Sequence, residues 1–126
     1  MRIVGFCEKW DKLQQDEFTT FRFTRKDKDW QVGEIVKVVY NPRSKSNDTL
    51  GIAEIISKEP RDMLRLRGEE IAAKITDEEV RVDGFDSIGT KPAYYVMWEW
   101  LFDTYGYERL AKEPMNKLTL RWIKCR

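Results

Sequence analysis

A chain of 126 residues with 23 basic and 22 acidic side chains carries a formal net charge of +1, and its length suits one domain. With 41% hydrophobic and 13% aromatic residues it has material for a core, which argues against disorder over most of its length. There is no histidine, which removes Ser–His and Cys–His nucleophile pairs, histidine-bearing zinc sites and a histidine pH switch.

Ile3–Phe6 is a short apolar strand candidate. Glu8–Gln15, with Trp10 and Leu13 three apart, reads as one or two helical turns. Phe18–Phe23 is rich in aromatic and β-branched residues and predicts a strand. The charged stretch Arg25–Asp29 reads as a turn or a mobile flap. Val32-Gly33-Glu34 then turns the chain into Ile35–Tyr40, the clearest strand. Asn41–Thr49 combines Asn-Pro with small polar residues and predicts a loop. Leu50–Ser57 is a further strand.

Thr76-Asp77-Glu78-Glu79 is a capping box, in which the threonine oxygen accepts an early helix N–H and Glu79 reaches back to the cap. Gly84 suits the left-handed position that ends this short helix. From Pro92 a second helix presents Tyr94, Met97, Trp98, Leu101 and Tyr105 on one face, and Gly106 stops it. Leu118–Ile123 alternates as a closing strand. The pattern predicts an α+β fold with a sheet curled into a small barrel and short helices covering its openings.

The neutral total hides an asymmetry. Arg22–Lys45 has a balance of +4, Glu69–Thr90 of −5 and Arg109–Arg126 of +5. The two basic segments either combine into a positive surface or pair with the acidic one. The cysteines, Cys7 and Cys125, are too few for a zinc site and read as buried, reduced thiols. No apolar run approaches the ~20 residues that span a bilayer, and Met1–Cys7 lacks a signal peptide's apolar stretch. A cytoplasmic protein with no cofactor, no metal and no membrane association is expected; Asp77, Glu78 and Glu79 are explained by the capping box.

Phe18-Thr19-Thr20-Phe21-Arg22, followed by a charged spacer and Val32-Gly33-Glu34-Ile35-Val36-Lys37-Val38, resembles the ASCH domain of the PUA-like superfamily. That family has a T-x-R element, then a glycine-acidic lead into the next strand. Its later element stands here as Ile75-Thr76-Asp77-Glu78-Glu79-Val80-Arg81-Val82-Asp83-Gly84-Phe85, and Tyr105-Gly106 with a terminal strand follows in order. The resemblance runs over roughly residues 3–124. It implies a single PUA-like β-barrel domain over residues 1–126, with a cleft beside the T-x-R strand and the D-G-F segment. It also implies an association with RNA, and in one branch the deacylation of modified cytidine.

Thr20 and Arg22 are two apart on a strand and share a face. Arg22 offers a planar fork of donors to phosphate or to a base edge, or an ion pair to Asp83 or Asp86. In the deacylating branch a lysine stands three residues before the threonine, where this chain has Glu17, and a glutamate stands where it has Asp83. A threonine hydroxyl needs an adjacent base to attack an amide. Lys9 and Lys12 are the nearby amines, and the catalytic candidates are Thr20, Glu17 and Asp83. Trp30, set among charges, is the first candidate for stacking on a base and Trp100 the second. Arg25, Lys26 and Lys28 are the expected phosphate contacts. These residues predict a module that binds RNA or a nucleotide-like ligand through Arg22, Thr20, Arg25, Lys26, Lys28 and Trp30. The alternative is a hydrolase acting on a modified nucleoside or on RNA; a third reading is a protein-interaction domain.

Overall fold

The computed structural model describes residues 1–8, 10–45, 47–62, 73–113 and 115–125. In chain order these form β1 (Arg2–Phe6), a single 3-10 turn (Asp11–Gln14), β2 (Glu17–Phe23), β3 (Ile35–Tyr40), β4 (Asp48–Asp62), β5 (Ala73–Lys74), α1 (Asp77–Asp83), α2 (Ala93–Tyr105), α3 (Tyr107–Lys112) and β6 (Met115–Cys125). The main strands run in the order β1-β3-β4-β6-β2, with β5 added beside β4. This is an α+β protein whose five-stranded sheet curls into a half-barrel with a few short helices.

The curl has local causes. Val38 and Val39 of β3 are offset against β4, and the β4–β6 register shifts between Ile52 and Ala53 and again between Ile55 and Ser57. Each irregularity bends its strand and increases the local twist. β4 is longer than the apolar pattern of Leu50–Ser57 indicated, because its later residues Lys58–Arg61 still pair with β6. A polar strand end is legible only through its partner.

Two apolar clusters flank β2. Phe18 joins Val4, Phe6, Val36, Val38, Ile55, Leu118 and Leu120 inside the curl. Phe21 and Phe23 join Ile75, Val80, Ala93, Met97, Leu101 and Leu110 beneath the helices. The strand is therefore buried on both faces, and its alternation decides which cluster each side chain serves.

The capping box forms as expected: the Thr76 oxygen accepts from the Glu79 N–H at 3.1 Å, and Glu79 accepts from the Thr76 N–H at 3.1 Å. Glu79 also draws Lys117 to 2.9 Å and Arg61 to 3.1 Å, tying α1 to β4 and β6. Gly84 ends α1 at φ 119°, and a Cβ there would meet the Trp10 ring at 3.0 Å. Both its backbone and its space favour glycine.

The segment read as a flap is anchored. Asp29 accepts from Lys58 Nζ at 2.9 Å, from Asn116 Nδ2 at 3.0 Å and from the Arg25 N–H at 3.1 Å. Arg2 bonds Glu34 and the carbonyls of Lys28 and Asp29. Trp30 is correspondingly buried, 4% exposed within the inner cluster, with Arg2 4.4 Å and Arg25 5.6 Å from its ring centroid. Cations hold its faces, so neighbouring charges did not mean exposure.

Candidate functional site

The sheet does not close between its first and last strands, and a cavity lies at that opening. β1 and its continuation contribute Gly5, Phe6, Cys7 and Glu8; β2 contributes Thr20, Phe21 and Arg22; Lys12 comes from the 3-10 turn, Asp83 and Phe85 from the end of α1 and beyond, and Met97, Trp100, Leu101 and Tyr105 from α2. Its volume is about 370 Å³.

Arg22 bridges the opening. Its Nη2 donates to the Gly5 carbonyl at 2.7 Å and its Nε to Thr20 Oγ1 at 3.1 Å. The guanidinium carbon lies 5.0 Å from the Phe6 ring centroid. Gly5 leaves no room for a substituent on its other side: a Cβ there would lie 2.5 Å from Pro42 Cγ. Arg22 pairs with neither Asp83 nor Asp86; among the described residues no carboxylate lies within salt-bridge range of it, and Asp86 pairs with Arg81 at 3.3 Å. Burial pushes its pKa down, against the pull of Tyr105, Asp83 and Cys7.

Deeper in the cavity Lys12 Nζ meets Asp83 Oδ1 at 3.0 Å, with both side chains only 7% exposed. Thr19 Oγ1 donates to the same oxygen at 3.3 Å. Burial pushes the lysine down and the aspartate up, each opposed by the attraction of its partner. Lys12 also lies over the Phe6 and Trp10 rings, 5.2 and 5.8 Å from their centroids. The aromatic wall continues from Trp10 to Phe85 at 5.1 Å and from Phe85 to Trp100 at 5.9 Å. Trp100 and Tyr105 are each 39% exposed and present their rings at the rim.

Thr20, Arg22 and Asp83 thus meet in one cavity, and Lys12 completes the set. Lys9 lies outside the described residues, as does part of the acidic segment, 69–72. Glu17 is elsewhere: it starts β2 and pairs with Arg121 at 3.2 Å on an exposed surface. Trp30 does not reach the cavity; Trp100 does. Trp10 and Phe85 were legible as an aromatic and as the end of a D-G-F element, but their contact was not. Cys7 is a free thiol and exposed, unlike the buried thiols expected, and it sits at the cavity's edge.

Arg25 and Lys26 line a second, shallower cleft with Phe23, Tyr105, Glu108 and Arg109, which adjoins the first through Tyr105. Arg109 packs over Phe23 at 4.2 Å and Tyr105 at 5.0 Å and pairs with Glu113. The basic segments therefore meet only in part: Arg109 joins Arg25 and Lys26, whereas Lys117 and Arg121 are engaged by Glu79 and Glu17. Lys28 is exposed and lines neither cleft.

Among the described residues no group of three or more cysteine, aspartate or glutamate side chains is placed to hold a metal ion. Among them, too, no helix is long and apolar enough to cross a membrane. No family model, no curated protein and no solved structure matches the chain.

Proposed function

We propose that this protein binds RNA or a nucleotide-like ligand, taking one base into the cavity between the edges of β1 and β2. The observation that carries the reading is the combination of aromatic walls with a small polar set, Thr20, Arg22, Lys12 and Asp83, in a cavity of about 370 Å³. Ligand sites of this size are mostly apolar with a few placed polar groups. A base needs stacking faces and edge partners, and each stacked base contributes ~1–3 kcal/mol. Trp100, 39% exposed, offers a ring to stack on, and Arg22 offers donors. Arg25, Lys26 and Arg109 in the adjoining cleft suit phosphates of a continuing strand. The sequence resemblance to the ASCH domain, with its PUA-like barrel, supports the same reading.

Titration of the protein into a short, labelled single-stranded RNA tests this. Affinity is expected to fall as salt rises, because phosphate contacts release counterions. Arg22→Ala is expected to weaken binding more than Arg121→Ala, which alters an exposed position on β6 opposite Glu17. Equal effects would remove the cavity from the binding site, and binding indifferent to salt would remove the phosphate contacts of the adjoining cleft.

A second reading, deacylation of a modified nucleoside, gains from Lys12. Glu17 stands where the deacylating branch has its lysine, yet the 3-10 turn supplies an amine to the same cavity as Thr20 and Asp83. The amine is lowered by burial, the direction a proton acceptor for a threonine hydroxyl needs. The binding reading expects no turnover of N4-acetylcytidine. Turnover lost in both Thr20→Ala and Lys12→Met would put hydrolysis first.

A further inference from the structure

We propose that the ligand of this cavity carries its own negative charge and delivers it to the Arg22 guanidinium. The inference deepens the proposed function and rests on it for the ring that fills the aromatic box. Its basis is an imbalance of charge and of hydrogen bonds. Two cations, Arg22 and Lys12, line the interior against one carboxylate, Asp83. That carboxylate is already committed to Lys12 and Thr19. Arg22 has only neutral acceptors, Thr20 Oγ1 and the Gly5 carbonyl, and these leave Nη1 without an acceptor among the described residues. The other carboxylate at the cavity, Glu8, is exposed, and solvent screens a charge so placed.

A guanidinium removed from water and given only neutral partners is costly unless an anion completes it. The second network on the molecule shows the contrast. Arg2, also partly buried, is met by both oxygens of Glu34. The same planar fork on Arg22, which lines the cavity, has only neutral acceptors and an open nitrogen instead. A carboxylate on a heteroaromatic ring, or the phosphate of a nucleotide, would supply the missing oxygens by bidentate or charge-assisted contact. The shared chemistry is an oxyanion held a short distance from a flat ring.

Calorimetric titration of the full chain with uridine, uridine 5′-monophosphate, 5-carboxyuridine and benzoate separates the possibilities. At least one anionic nucleoside is expected to bind about tenfold or more tightly than uridine, a step on the scale of one charge-assisted contact. Which of the two does so tells phosphate from base carboxylate. Arg22→Gln, checked for folding by its thermal transition, is expected to abolish the difference. Because Arg22 also ties β2 to β1, Arg22→Lys guards against unfolding: it keeps the cation without the planar fork and is expected to retain a smaller preference. Uridine binding as tightly as both anions, or a preference that survives Arg22→Gln or is no larger in Arg22→Lys than in Arg22→Gln, overturns the inference while leaving base binding intact. Arg22-dependent binding of benzoate with no binding of any nucleoside supports the charge inference and overturns the nucleotide reading. Binding of none of the four overturns both.

Discussion

The spacer around Asp29 and the cavity around Arg22 are built from the same residue types and resolve them differently. Around Asp29 an aspartate is met by a lysine, an asparagine and a backbone N–H, and Arg2 closes both oxygens of Glu34. Around Arg22 the arginine finds two neutral oxygens, and the one buried aspartate is engaged by Lys12 and Thr19 instead. A completed network fixes a loop. The other, lined with aromatic rings, leaves Arg22 with neutral acceptors only. The difference lies in partner count rather than in charge count, and composition cannot display it.

Lys12 offers the largest effect with which to break this comparison. With both partners 7% exposed, Lys12→Met leaves Asp83 without its counter-ion and is expected to cost about 3–5 kcal/mol in a denaturant titration. The double variant Lys12→Met/Asp83→Leu removes both charges together. It is expected to recover that loss, because apolar replacements of a buried pair are commonly neutral or stabilising. A double variant as unstable as the single one would make the pair a structural fixture like the Asp29 network.

The Asp29 network supplies the next effect, and its sign follows from its pKa. Burial pulls Asp29 up, but hydrogen bonds from Lys58, the Arg25 and Trp30 N–H groups and Asn116 leave it below its ordinary value of 3.8. A carboxylate depressed in the fold contributes stability that is present above the unfolded pKa and lost as pH falls through the folded one. Glu34 is depressed as well, first by its hydrogen bond from Arg2. Asp83, raised by burial, acts in the opposite sense. Stability should therefore fall as the solution is acidified from about pH 5 to about pH 3. Asp29→Ala should cost about 1–3 kcal/mol at neutral pH, the range for stranding a polar partner, and flatten that acid limb. Ligand affinity should not change, which calorimetry at neutral pH checks.

Local chemistry made much of this molecule legible. Thr76 to Glu79 announced a helix start, Gly84 its end, and Thr20 and Arg22 were assignable to one strand face. Met97 and Leu101, three residues along from Tyr94 and four from Met97, proved buried as their periodicity implied. What escaped were relations across the chain. Trp30 looked exposed among its charged neighbours; its cover comes from Arg2, a distant residue. Asp29 looked like part of a mobile turn; its partners Lys58 and Asn116 lie on strands remote in sequence. Lys12 was named as an amine near Thr20, but its pairing with Asp83 was not legible. Sequence patterns encode the element, whereas the partner of a charge depends on which elements meet.

Glu17 provides the smallest effect and the sharpest check on where the site lies. Glu17 was a catalytic candidate from the sequence alone, but its carboxylate faces Arg121 across the β2–β6 ladder, 48% exposed against 58%. Exposed pairs of this kind contribute little, because solvent screens the attraction and two flexible side chains must be held in place. Glu17→Ala is therefore expected to change stability by less than about 0.5 kcal/mol. Its effect on binding should be equally slight, since Glu17 and the cavity residues Thr20 and Arg22 are at different positions along β2 and Glu17 does not line the cavity. Arg22→Ala measured beside it gives the scale. A Glu17→Ala loss of binding comparable to that of Arg22→Ala, with an unchanged thermal transition, would mean that ligand contacts extend over the outer end of β2 and that the cavity alone is too small a description of the site.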